Sequence, residues 1–580
     1  MAGRLGLDRV LHLRRAGMGR LGTRSGSQST ATPRGARRGE VRSPLSMQLE
    51  ADPPRFCGPR EATTPKTKVA LASSSGCGRS PAPAARAGRG SRAVQNFDVT
   101  ASDLLYETYD HQILYTCWYN TSAFTLPAMF LGRDSELAFL DELHHSNRPE
   151  LFVLYGRRRV GKTELLQQFC AKRRAVYFLA AQVREKDNLR AFRDALASAL
   201  EEPLAASVEF ADWTAALNFC AELSKPSAKG RLVVVLDEFP YLCESTRGLT
   251  SQLQRFWDTR GKLSNLVLVL CGSQVSFMEN EVLAERSPLF GRRTAQRKLA
   301  PLEPEHTLPF FPRWDVRERI LAYAILGGMP AYLRRFDDAR TLEDNVLREC
   351  LRPEGYLFDE VQFLLRSELS QPATYNSLLS AIARGNDKVG DIALAVGVDT
   401  PHANKYLSTL RELSLVDREV PLTDPDPLRS RRGTYRVGDR FLAFHFRHIQ
   451  PHVSLIQAGR GARVLEEFVQ PDFDRLFDEA RVDFVLSHLR RHAAEELGDE
   501  VVETGRHPGR FVRAVARTAN GTGVAAIVLP DGERSTAGLE AELAALKRPL
   551  GAKLEKLVYG IGPNPDCPLE VERVPKGALV

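Results

Sequence analysis

A chain of 580 residues is longer than one hydrophobic core supports, so several compact domains are expected. Hydrophobic residues make up 43% and charged residues 26%, and a mean hydropathy of −0.27 with no apolar run of spanning length argues against an integral membrane protein. The formal charge of +8 is unevenly placed, with Arg14, Arg15, Arg34, Arg37, Arg38, Arg86 and Arg89 all before residue 100, so whole-chain basicity says little about the folded part.

Residues 1–128 are rich in Arg, Gly, Ser, Ala and Pro and lack apolar periodicity, which predicts a disordered basic extension. Its composition fits a transit peptide or a basic arm touching nucleic acid, and also a start assigned too early, since Met129 stands directly before the first folded pattern. The nine cysteines show no C-x-x-C pair and no Cys/His spacing for zinc, so neither a disulfide framework nor a zinc site is expected. Reduced thiols and the absence of a spanning segment place the protein in the cytoplasm with no membrane partner.

From residue 129 to about 300, short apolar runs alternate with amphipathic stretches, the pattern of a parallel sheet with crossover helices. Strands are predicted at Leu151 to Tyr155, Ala175 to Ala180, Leu232 to Leu236 and Leu266 to Cys271. The first runs into Gly156-Arg157-Arg158-Arg159-Val160-Gly161-Lys162-Thr163 and then the helical Glu164-Leu165-Leu166, which is G-x-x-x-x-G-K-[ST] in strand, loop and helix context. Glycines let the backbone N–H groups wrap phosphate oxygens at a helix N-terminus. Lys162 is expected on the β- and γ-phosphates and the Thr163 hydroxyl on Mg²⁺.

The strand Leu232 to Leu236 delivers Asp237 and Glu238 at its carboxyl end. Asp237 is expected to hold the Mg²⁺ shell and Glu238 to orient the attacking water. Ser273 follows the last strand as a candidate sensor for the terminal phosphate, although a Gly-Ser turn is also an ordinary strand exit. Arg292 and Arg293 sit in a turn-rich segment, where either would stabilise transferring charge or mark a partner-facing surface.

Together with Phe130-Leu131-Gly132-Arg133, Asp237-Glu238-Phe239-Pro240-Tyr241, Ser287-Pro288-Leu289-Phe290-Gly291-Arg292-Arg293 and Gly327-Gly328-Met329-Pro330, these motifs resemble the archaeal-type ATPase family, a branch of the AAA-related and STAND-like P-loop ATPases. The resemblance covers about residues 130–335. It implies that Gly132 and Arg133 lie near the adenine, that Pro330 closes over the nucleotide from a helical subdomain (residues 301–370), that Ser273 is the sensor, and that Arg292 or Arg293 is an arginine finger.

Such proteins often continue into a winged helix and a restriction-endonuclease-like region. Residues 371–454 can form three helices with Gly397 at a tight turn and Arg429, Arg431 and Arg432 in a wing, with His402, Asn404 and Lys405 opening the recognition helix. This module would bind double-stranded DNA or serve as plain interdomain packing. His445 and His448 have no acid or cysteine at ligand spacing. Residues 455–580 read as a smaller α/β domain whose strands lack the acid and acid-x-Lys set of a nuclease, with Asp531-Gly532-Glu533-Arg534 offering acids without a placed lysine. The expected activity is ATP hydrolysis with Mg²⁺, acting as a nucleotide-dependent switch. Two alternatives stand beside it: a DNA-binding regulator or defence protein gated by ATP, and a self-associating ATPase that remodels protein clients.

Overall fold

The computed structural model describes residues 130–201, 206–225, 230–424, 426, 429–529, 538–551, 553–564 and 567–574. The basic extension, Met129 and the Asp531 to Arg534 acids lie outside these residues.

The first half is an α/β layer. Helix α1 (Asp134–His145) leads into β1 (Glu150–Tyr155), α2 (Lys162–Cys170), β2 (Ala175–Leu179), α3 (Glu185–Leu200), α4 (Trp213–Leu223) and β3 (Leu232–Asp237). Then come α5 (Phe239–Ser245), α6 (Leu249–Thr259), β4 (Leu266–Gly272) and β5 (Ala295–Lys298). The sheet is parallel in the order β2-β3-β4-β1-β5. Every residue of β1, β3 and β4 is buried, because a parallel sheet carries its crossover helices on both faces, and this is why these strands read as unbroken apolar runs. One face packs on an aromatic cluster in which Phe192 lies 5.4 Å from both Phe178 and Trp213.

This order places β4 between the strands that carry the two motifs. Tyr155 pairs with Gly272 and Leu236 with Leu270, so the exits of β1, β4 and β3 stand side by side. Ligands of such sheets bind at these carboxyl ends.

Downstream, α7 (Val316–Leu326) starts on a capping box made by Asp315 and Glu318, each side chain bonded to the other's backbone N–H. All residues from Arg319 to Leu326 are buried, so the helix is enclosed all round rather than amphipathic. It is followed by α8 (Pro330–Leu333), α9 (Leu342–Glu349) and α10 (Glu360–Glu368). Helices α11 (Pro372–Ala383), α12 (Val389–Val396) and α13 (Thr400–Glu412) are followed by the antiparallel pair β6 (Val416–Glu419) and β7 (Thr434–Val437). Asp399 caps α13 by accepting from the His402 N–H at 2.8 Å.

Helix α14 (Arg440–Phe444) and the long α15 (Phe473–Arg491) then return to cover α7, with Tyr323 5.4 Å from Phe484. The last sheet runs β8 (Val501–Arg506), β9 (Val512–Thr518), β10 (Gly523–Val528), β11 (Leu554–Asn564) and β12 (Cys567–Arg573), with α16 (Leu539–Leu550) making the crossover between the parallel strands β10 and β11. The remaining pairings are antiparallel. Strand β10 is apolar and buried throughout, and β9 carries only arginines and a threonine among its polar residues, so neither bears a carboxylate. No helix among the described residues is long and apolar enough to cross a membrane.

Candidate nucleotide site

The loop after β1 is shaped by its glycines. A Cβ on Gly156 would come within 2.5 Å of the Leu299 carbonyl, because the segment after β5 is bonded to Tyr155 O through Leu299 N at 2.7 Å. Gly161, at φ +93°, turns the chain into α2. The Lys162 ammonium is buried and donates to the carbonyls of Gly156 and Arg157 at 2.9 and 3.0 Å, which draws it back along the loop.

Thr163 and Asp237 meet across the sheet, the hydroxyl donating to Asp237 Oδ2 at 3.0 Å while the Glu238 N–H donates to Oδ1 at 2.9 Å. Tyr177, from β2, donates its hydroxyl to the same Oδ2. Burial, and after it the neighbouring carboxylate, pushes the Tyr177 phenol well above its usual range, so it remains a donor. Glu238 adopts the left-handed region at φ +52°, unusual for a side chain of its kind, and Ser273 Oγ lies 2.8 Å from both of its carboxylate oxygens. The Ser273 hydroxyl is therefore spent on Glu238. A strained backbone held by a buried hydroxyl fixes the direction of the acid.

The three loop arginines do not share one role. Each is tied to a different part of the chain: Arg157 Nη1 to Asp439 at 2.7 Å, Arg158 Nη2 to the Tyr241 hydroxyl at 2.9 Å, and Arg159 Nη2 to Glu360 at 2.8 Å. Arg159, at φ +67°, also lies over the Tyr356 ring, and Glu360 accepts from the Tyr332 hydroxyl at 2.8 Å. The side chains of Arg157 and Arg159 thus point into protein ion pairs, and what these positions offer a nucleotide is their backbone N–H groups. Val160 is fully buried beneath the loop.

Arg133, next to Gly132, is likewise a fastener. Its Nη2 donates to the carbonyls of Val160 at 3.0 Å and Ala300 at 2.8 Å, and burial lowers its pKa. Pro330 stands over Gly161, its Cγ 3.7 Å from where a Cβ would be, and Arg334 reaches Glu164 at 2.9 Å, so the segment around α8 covers the first turn of α2.

Arg292 and Arg293 lie elsewhere. They precede β5, whose first residue pairs with Phe152 near the entering end of β1, while the loop leaves from the opposite end. Arg292 is paired with Asp258 at 2.9 Å and Arg293 donates to the Leu283 carbonyl at 3.3 Å. Their segment therefore enters the sheet at the end opposite the exit of β1, since residues before a strand and residues after it lie at opposite ends of a parallel sheet.

Tyr241 stands in the Asp237 to Tyr241 motif, but Tyr177, Glu360, Glu368 and Asp439, also in the site's surroundings, carried no motif signal. Only Asp439 has a local trace, as an N-cap that accepts from Leu442 N at 2.9 Å.

The sequence is similar to that of known proteins. The chain is 32% identical over 421 residues, covering 72% of its length and 88% of the relative's, to the uncharacterized protein MJECL04 of Methanocaldococcus jannaschii, and a family model described as an ATPase domain predominantly from Archaea matches residues 130–336. The chain belongs to the archaeal-type ATPase family. This archaeal-type ATPase also matches an uncharacterized ATP-binding protein of the same organism, MJ0423, with 51% identity over 41 residues, 7% of this chain and 70% of that protein. Among solved structures, the Walker-type ATPase PABY2304 of Pyrococcus abyssi aligns over 57% of this chain and 99% of its own, at 23% identity and a TM-score of 0.42. As an archaeal-type ATPase the protein binds ATP, and the oxygen pair of Thr163 and Asp237 suits a hard divalent cation whose other ligands are phosphate and water.

Proposed function

We propose that this protein hydrolyses ATP and uses the nucleotide as a switch. The observation that carries the reading is the Ser273 to Glu238 contact beside the Thr163 to Asp237 pair, which sets an aimed acid next to a cation-binding oxygen pair at the mouth of a phosphate loop. The loop N–H groups from Gly156 to Thr163 and the Lys162 ammonium hold the phosphates, with Glu164 at the first turn of α2 and Gly132 and Pro330 bordering the nucleotide. Thr163 and Asp237 would hold Mg²⁺, which would supply charge neutralisation. Glu238 orients water in line with the terminal phosphorus and accepts its proton, with no covalent intermediate.

Steady-state hydrolysis by the full chain tests this against Lys162→Ala and Glu238→Gln. Turnover should vanish in both, with ATP binding kept in Glu238→Gln. Hydrolysis that survives the loss of Glu238 would remove its assigned role, and absence of ATP binding by the unaltered chain would sink the reading altogether.

A second reading concerns DNA. Arg429, Arg431, Lys405 and His402 are exposed on the hairpin and on α13, and the Arg157 to Asp439 pair joins the phosphate loop to α14, directly after that hairpin. This supports a regulator in which nucleotide state gates duplex contact. Duplex binding should fall steeply with salt and weaken when Arg431 and Arg432 are neutralised; binding indifferent to both changes would leave the module as packing.

A further inference from the structure

Helix α10 presents two acids toward the phosphate loop. Glu360 is paired with Arg159 and Tyr332, but Glu368, at the last position of the helix, has a buried Oε1 with no hydrogen-bond partner. Its charged neighbours are Arg158, Arg157 and Lys162, with Glu238 as a like charge. Burial raises its pKa, against the pull of those three cations. A buried carboxyl oxygen left without a hydrogen-bond partner among cations is unusual, because a buried polar group is normally satisfied. Its neighbours are also the groups that the terminal phosphate of a nucleoside triphosphate must approach: the loop lysine on one side and the water-orienting acid on the other.

We propose that Glu368 is a specificity-determining residue of the phosphate site, whose carboxylate competes with the terminal phosphate of a nucleoside triphosphate for Lys162 and Arg158. A diphosphate ends one phosphoryl group short of Glu238 and meets less of this repulsion. Entry of the third phosphate displaces the end of α10. Only Leu369, Ser370 and Gln371 separate that end from α11, and Gln371 accepts from the Tyr406 hydroxyl of α13 at 2.9 Å, so the displacement is delivered to α11 and α13. The inference rests on the loop being an ATP site.

Calorimetric titration of the full chain with Mg²⁺ and either ADP or a β,γ-imido analogue of ATP tests it. Glu368→Gln keeps the shape of the side chain and removes the charge. It should tighten the triphosphate analogue by about tenfold, the scale of one pKa unit of like-charge interaction, and tighten ADP by less than about threefold. Glu368→Asp, which keeps the charge, should retain the unaltered chain's preference. Equal effects on both nucleotides, no effect on either, or an Asp variant that behaves like the Gln variant would each overturn the proposal while leaving the ATP site standing. Failure of the unaltered chain to bind either nucleotide would instead remove the ATP-site reading on which it rests.

Discussion

Arg157 and Asp439 form an ion pair across 282 positions of sequence, Nη1 to Oδ2 at 2.7 Å, with both side chains nearly excluded from solvent. One is the residue after the first loop glycine and the other is the N-cap of α14. Together with the Arg159 to Glu360 pair it ties the phosphate loop to the second half of the chain, and Arg157 Nε and Nη2 have no hydrogen-bond partner.

Removing the acid strands that guanidinium. Asp439→Ala should destabilise the chain by about 3 kcal/mol or more in denaturant unfolding, since it leaves a buried charge without its partner and a helix without its cap. Replacing both residues, Arg157→Met with Asp439→Leu, should recover much of that loss. A double variant as unstable as the single one would show that the cap, and not the charge, dominates.

Tyr177→Phe removes one of the two side-chain hydroxyl donors on Asp237 Oδ2 and leaves the other, from Thr163. A stability loss of about 1 kcal/mol is expected, as for a typical buried hydrogen bond. The Mg²⁺ concentration for half-maximal ATP turnover should rise, with nucleotide affinity in the absence of Mg²⁺ unchanged. An unchanged Mg²⁺ requirement would confine Tyr177 to packing.

Ser273→Ala frees the Glu238 carboxylate while leaving the loop untouched. Turnover should fall by roughly tenfold to a hundredfold with little change in KM, the mark of an interaction that matters in the transition state more than in binding. A rise in KM at constant kcat would assign Ser273 to binding instead.

Acid sensitivity should centre on Asp483. Burial opposes its ionisation, but Arg440, Arg506 and Arg436 around it more than offset this and hold its pKa down at about 2. A carboxyl depressed in the folded state contributes stability that is present above its unfolded pKa, roughly 3.9, and is lost as pH falls from there through the folded value. Stability measured between pH 5 and 2 should therefore drop more steeply in the unaltered chain than in Asp483→Asn, which starts less stable and has less to lose. Parallel slopes would refute this assignment.

What was legible in the sequence was local. The loop from Gly156 to Thr163, the acids Asp237 and Glu238 at a strand end, and the three helices with their hairpin all announce themselves within a few residues, because loop geometry, strand alternation and helix caps are short-range requirements. The exit of β4 beside the other two followed once the strand order was known, and it put Ser273 at the site. The roles of the loop arginines were not legible: G-x-x-x-x-G-K-T is satisfied whatever stands at the four free positions, and only the folded chain shows Arg157 and Arg159 turned toward Asp439 and Glu360. Where Arg292 and Arg293 sit was not legible either, since a pair of guanidiniums in a turn looks alike at either end of a sheet. Tyr177 was hidden inside an apolar strand, where its ring reads as core and its hydroxyl goes unnoticed.

The enclosure of α7 has a consequence for how the protein is made. Its cover, α15, emerges from the ribosome roughly 150 residues later, which at about 5 to 20 residues per second leaves the helix waiting for roughly ten to thirty seconds. During that interval the Tyr323 surface that Phe484 will cover stands open to water or to whatever holds nascent chains. The helix that follows the α/β layer therefore reaches its finished packing only when translation has passed Arg491.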